Sequence, residues 1–242
     1  MAEQQQAANL QQLNVEHFNK HGAEVTPHML ALAESTAQHI LQLIPLGQDS
    51  TVLEFGCGMG LISERLAPAV GSVHGVDIAP KTIEAFNAKA AAKGLTNMRA
   101  ACVDLVNPIE QQQAISSGQL PVSFSLIVAH MVLHHVEDAA AVFGCLAGLL
   151  QQGGRLVLTD LLQTERSKAF HGATAHHTVS HAGGFSEQQV SQLLSAAGLR
   201  LTSFSGDSLH VTKAAAQPGG GAEAPEAFPV FVAVGQAAAE SS

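Results

Sequence analysis

The chain is poor in several things, and each shortage closes off a class of function. It has no Trp and no Tyr in 242 residues. An aromatic cage would have to come from its 10 Phe, and no phenol can serve as an acid or base. The 3 cysteines, Cys57, Cys102 and Cys145, are scattered without a C-x-x-C pair. That excludes a disulfide framework and a zinc knuckle, and points to a reducing, cytoplasmic compartment. Basic residues are few, 11 Lys+Arg against 20 Asp+Glu, for a formal net charge of -9. A nucleic-acid or anionic-membrane surface needs a basic face, so neither partner is expected. No apolar run approaches membrane-spanning length, and the N-terminal residues resemble neither a signal peptide nor a transit peptide. No internal repeat or domain linker is visible. A hydrophobic content of 46% nonetheless allows a sizeable core.

What is present centres on Thr51–Gly60, Thr-Val-Leu-Glu-Phe-Gly-Cys-Gly-Met-Gly. Val52, Leu53 and Phe55 read as a buried strand. The run breaks into glycines at 56, 58 and 60, and Leu61–Leu66 resumes at helical spacing. Strand, glycine turn and helix build a nucleotide site at the carboxyl end of a first strand in an open α/β sheet. A dinucleotide fingerprint would place the third glycine at 61, which is Leu. The carboxylate of Glu54 beside the turn would repel a diphosphate, but not a sulfonium cofactor with a cationic amino-acid end.

Along the chain, residues 1–12 read as frayed, Leu13–His21 as a short helix, and 1–22 as a flexible or helical segment before one domain at 23–236. Thr26-Pro27 starts a helix. Its apolar face reads as Met29, Leu30, Ala33, Ala37, Ile40, Leu41 and Ile44. A second strand ends at Asp77, a third at Asp104, and a fourth spans Phe124–Ala129. A polar connection is expected at 107–121, a helix at about Glu137–Leu150, and a strand at Arg155–Asp160. Residues 163–184 form an irregular, His-rich cap loop with His171, His176, His177 and His181. Ser186 and Gln189 make a capping box. Extended segments follow at Leu199–Phe204 and Ser208–Thr212, then a flexible hairpin loop at 213–227 and a last strand at Phe228–Val234. The pattern predicts a Rossmann-like, doubly wound, mostly parallel seven-stranded sheet with an antiparallel last strand.

The E-x-G-x-G-x-G stretch, Asp77, Asp104, the Gly153–Asp160 segment and the fourth-strand run Leu126–Asp138 stack in one order. In that order they resemble the class I S-adenosylmethionine (SAM) methyltransferases, and Leu126–Asp138 is similar to the ubiquinone/menaquinone-biosynthesis type. The resemblance covers roughly residues 50–204 plus the final strand. It departs at Ser125, where many relatives carry an acid, and in the N-terminal segment, where Phe18 would stand in for a covering aromatic. It implies SAM as cofactor and a small-molecule methyl acceptor, on a monomer or homodimer. The cofactor residues would be Glu54, Phe55, Gly56, Cys57, Gly58, Gly60, Asp77, Ile78, Asp104, Leu105 and His130. Asp77 would accept from the ribose diol and Asp104 from the adenine amino group, with Ile78 on the adenine face and the Leu105 amide a donor to the ring. Methyl transfer needs alignment and exclusion of water, and a base only where the acceptor must lose a proton. The candidate bases are His134, His135, His177 and His181, for which packing or capping is an equal reading for the first two. No metal ligand is assigned, although a His-based metal module is a rival. The other rival is a SAM- or S-adenosylhomocysteine-binding regulator without turnover.

Overall fold

A computed structural model describes residues 2–171, 178–214 and 225–237. The chain opens with two helices, α1 (Ala2–His21) and α2 (Pro27–Leu43). Helix α1 begins at Ala2, upstream of the short helix expected at Leu13–His21. In α2, Thr26 caps the Met29 amide and Pro27 occupies the first turn. The buried face is Leu32, Ala33, Thr36, Ala37 and Ile40, while Met29, Leu30 and Leu41 are exposed. The apolar stripe therefore differs from the expected one at its edges. The small residues Ala33 and Ala37 let α2 sit close to the core, where the larger chains at 29, 30 and 41 would hold it off.

The strands are β1 (Thr51–Phe55), β2 (Ser72–Asp77), β3 (Met98–Cys102), β4 (Phe124–His130), β5 (Leu150–Leu161), β6 (Leu199–Ala214) and β7 (Pro225–Ala237). Between them run α3 (Leu61–Leu66), α4 (Pro80–Ala92), α5 (Pro108–Ser116), α6 (Ala139–Gly148) and α7 (Glu187–Ala196). The sheet order is β3-β2-β1-β4-β5-β7-β6. The first five strands are parallel, and β7 is antiparallel to both β5 and β6. This is the expected Rossmann-like architecture. Strand order reverses between β1 and β4, and open α/β sheets bind ligands outside the carboxyl ends at such a point.

Alternate residues serve the two faces. Val52, Val73, Leu126 and Val157 pack toward α2, α3 and α4, and Leu53, Val76, Ile127 and Leu156 toward α6 and α7. Full burial of one such side chain contributes about 1.5–3 kcal/mol. Two further segments differ from expectation. The polar connection at 107–121 holds α5, started by Asn107 capping the Ile109 and Glu110 amides ahead of Pro108. The two extended segments after α7 are one strand, β6, with register shifts between Leu201 and Ser203 and between Ser205 and Leu209. The hairpin loop expected at 213–227 lies largely outside the described residues.

Candidate functional site

The glycine turn joins β1 to α3 and is pinned to the neighbouring strand. The Cys57 amide donates to the Val76 carbonyl at 3.0 Å, and the Gly60 amide to the Cys57 carbonyl at 2.7 Å. All three glycines take positive φ, for different reasons. At Gly56 (φ 64) a Cβ would lie 2.3 Å from Val132 Cγ2, and at Gly60 (φ 68) 2.3 Å from the Phe86 ring. At Gly58 (φ 47) it would meet nothing within 4 Å. Two glycines thus close the turn against the fold, and the third leaves bare backbone toward open space.

That space is a cavity of about 300 Å³ at the carboxyl ends of β1, β2 and β4. Phe55, Gly56, Gly58, Asp77, Ile78, Asp104 and Leu105 line it. Asp77 takes the Gly58 amide on Oδ2 and the Ala79 amide on Oδ1, both at 2.9 Å. Burial pushes its carboxyl up, and those amides work against the shift. Asp104 accepts from the Val106 amide at 3.0 Å and from Gln11 Nε2 at 2.7 Å. Helix α1 forms a further wall through Leu10, Gln11, Asn14 and Phe18, and Asn14 Nδ2 donates to the His135 carbonyl at 3.2 Å.

Other residues named from the sequence stand off the cavity wall. Glu54 alternates to the face of β1 that carries Val52 and turns to α3. Its Oε2 accepts from the Ser63 hydroxyl, and from the Ser63 amide at 3.0 Å. Burial pushes this carboxyl up to about 7, against the pull of Ser63 and Lys89. Cys57 is buried beneath the turn against Gly75, and burial raises its thiol well above the ordinary range. Gly60 is the left-handed residue that starts α3, and its carbonyl accepts from Lys89 Nζ at 3.1 Å. His130 ends β4 with Nδ1 2.7 Å from Thr159 Oγ1, and burial lowers its pKa to about 4.

The candidate bases separate in the same way. Leu133–His135 is a 3-10 turn, which sends successive side chains in different directions. His135 lines the cavity, with Nδ1 2.7 Å from the Thr178 carbonyl and its ring edge-on to Phe18. Burial, reinforced by His134, holds it well below its usual range. His134 points inward and is 1% exposed, with Nδ1 2.6 Å from Asp160 Oδ1. Burial would raise the Asp160 carboxyl, but His134 and the Leu161 amide outweigh it and hold it low. His181 packs on Phe185 and its amide donates to the His134 carbonyl at 3.0 Å. His176 and His177 lie outside the described residues. Among the described residues of 163–184, none lines the cavity.

Sequence reasoning missed Gln11 and Asn14, which reach the site from a helix far away in the chain and follow no local motif. It also passed over Met131 as a wall residue. Met131 follows β4 directly and holds φ 51, an uncommon conformation for a residue with a side chain. Its amide donates to the Thr159 carbonyl at 2.8 Å, which fixes it there.

The methyltransferase domain family matches residues 29–203. The chain belongs to that family. An uncharacterized methyltransferase of Schizosaccharomyces pombe is 29% identical over 154 residues, 62% of this chain and 53% of its own length. The ubiquinone biosynthesis O-methyltransferase of Xylella fastidiosa is 32% identical over 148 residues, 61% of this chain and 55% of its own. The chain thus spans about half the length of these curated relatives. Among solved structures, magnesium protoporphyrin IX methyltransferase from Synechocystis with bound S-adenosylhomocysteine (SAH) superposes with a TM-score of 0.65 at 18% identity. That match covers 94% of this chain and 99% of the other, and it speaks to the fold.

Proposed function

We propose that the chain is a SAM-dependent methyltransferase that moves a methyl group to a small-molecule acceptor by in-line displacement. The observation that carries this is the pairing of Asp77 with Gly58 in the cavity wall. A carboxylate at the end of β2 is held by two backbone amides beside bare glycine backbone, and each oxygen keeps acceptor capacity for one hydroxyl of a ribose diol. Ile78 and Leu105 supply apolar walls for a planar base, and Asp104 an acceptor at its edge.

The sulfonium supplies an already activated methyl carbon. What the protein adds is alignment and exclusion of water. Phe18 and the rest of α1 cover the cavity for that purpose. Glu54 acts from beneath the turn, where a carboxylate favours a cationic amino-acid end over a diphosphate. For an acceptor that must lose a proton, His135 is the imidazole in the wall. The name of the ubiquinone biosynthesis relative supports a small hydroxyl acceptor. Free Cys57, Cys102 and Cys145, together with the absence among described residues of any helix able to cross a membrane, support a reducing, cytoplasmic setting.

Calorimetry tests the cofactor. SAM and SAH should bind with Kd on the order of micromolar and NAD should not. Heat from NAD with none from SAM ends the reading. Asp77→Ala should weaken SAM by about 1.5–3 kcal/mol. A screen of hydroxyl acceptors with methyl-labelled SAM then separates turnover from silent binding.

A further inference from the structure

We propose that His134, His135 and His171 form a binding site for one divalent transition-metal ion, of the zinc or cobalt class, behind the cavity wall. The three residues offer one ligand nitrogen each, and these atoms lie within 4.8 Å of one another. His134 and His171 are buried, and His135 faces the cavity. The ring centroids of His134 and His171 are 4.9 Å apart, and those of His135 and His171 5.5 Å.

Proximity alone would describe packed rings. The stronger observation is what holds them. His134 directs Nδ1 to the Asp160 carboxylate at 2.6 Å, and His135 directs Nδ1 to the Thr178 carbonyl at 2.7 Å. Each contact places the ring proton on Nδ1 and leaves Nε2 with its lone pair. Metal-binding histidines are fixed in this way, by a carboxylate or carbonyl on the far nitrogen that sets the tautomer and raises ligand basicity. Asp160 is itself anchored by the amides of His134 and Leu161. It supplies a buried negative charge that offsets the cost of bringing in a cation.

Three imidazoles suit a borderline ion and leave a fourth position open. Ligand nitrogens about 2.0–2.1 Å from a tetrahedral ion sit about 3.3 Å apart, so modest ring rotation would close the set. The open position would lie toward the cavity, on the side of His135. An ion there takes up the His135 lone pair, so metal binding and proton acceptance by that ring exclude each other. A hydroxyl reaching the ion would instead be acidified by it.

Metal binding is read directly, without a methyl-transfer assay. Chelator-stripped full-length protein is titrated with Co²⁺ and followed by visible absorption, with zinc content measured after reconstitution. Wild type should take up one ion per chain with the intense visible bands of four-coordinate cobalt, and Kd on the order of micromolar or tighter. His171→Ala should lower affinity by about 100-fold, and Asp160→Asn by about 10–100-fold through the tautomer it sets. SAH binding by His171→Ala should stay within about twofold, because His171 does not line the cavity, and its unfolding transition should remain cooperative. Wild type that takes up no Co²⁺ below about 100 µM overturns the site, as does His171→Ala binding cobalt like wild type. Cobalt uptake without any SAH binding would uphold the metal site and defeat the methyltransferase reading instead.

Discussion

The two halves of the cavity are built by different means. On the side of β1 and β2, main chain does most of the shaping: three left-handed glycines, the Gly58 and Ala79 amides on Asp77, and the Cys57 amide on β2. Behind the wall on the side of β4 and β5, groups from three separate stretches stand around the wall residue His135: His134, Asp160, and His171 with the Thr178 carbonyl. The first half depends on local backbone geometry. The second depends on a buried polar network in which each member fixes its neighbour, and such networks lose heavily when one partner is removed.

Four substitutions test that contrast. Asp160→Asn should have the largest effect. It strips a fully buried carboxylate from His134 and two amides, and about 3–5 kcal/mol of unfolding free energy should disappear in denaturant titration. A loss under about 1 kcal/mol would mean that the histidine side is held by packing alone.

Gly56→Ala follows. It combines a left-handed backbone, about 1–2 kcal/mol, with overpacking against Val132, about 1–3 kcal/mol, for about 2–5 kcal/mol in total. A variant as stable as wild type would show that the turn is not constrained by its backbone.

Glu54→Gln should act in the opposite direction, by about 2 kcal/mol. The folded pKa, about 7, stands above the ordinary value of 4.5. Folding therefore favours the protonated carboxyl. Its stabilising contribution is complete below about pH 4.5 and is lost as pH rises through 7. The variant should match wild type near pH 4 and exceed it near pH 8, while binding SAM more weakly. Equal stability at both pH values would remove Glu54 as a strained charge.

Gly58→Ala is the smallest, about 1 kcal/mol, since only the backbone conformation resists it. Beyond that small loss of stability, it should weaken SAH binding. Unchanged affinity measured by calorimetry would move the ligand away from the turn.

The contrast also explains what the sequence could reveal. The glycine turn, Asp77 at a strand end and the alternation of strands with helices were legible because they arise from neighbouring residues with a fixed period. Helix α5 carried a readable signal, Asn107-Pro108 with Glu110 in the first turn, hidden by the polar composition of 107–121. The burial of Glu54 on the α3 side follows from strand alternation and was open to inference from Val52. Nothing local could show that Gln11 reaches Asp104, or that His134 meets Asp160 while His135 turns to the cavity. Those pairings exist only once β4, β5 and α1 are assembled, and the same is true of the approach of His171. The face of α2 was misjudged at its edges, where Met29, Leu30 and Leu41 were counted in and Leu32 and Thr36 left out, although Ala33, Ala37 and Ile40 lie on both the expected and the observed face.

The doubled irregularity of β6 has a consequence for solubility. This strand closes one end of the sheet and pairs only with β7 among the described residues. A straight sixteen-residue edge would offer a row of unpaired amides and carbonyls to any other extended chain. Shifts of register near Leu201–Ser203 and Ser205–Leu209 interrupt that row and twist the strand, and the exposed charge of Arg200 stands near its start. The edge is thereby a poor template for intermolecular strand addition. Straightening it by deleting one of the extra residues should favour aggregation through that edge, even where the cavity on the far side of β5 is untouched.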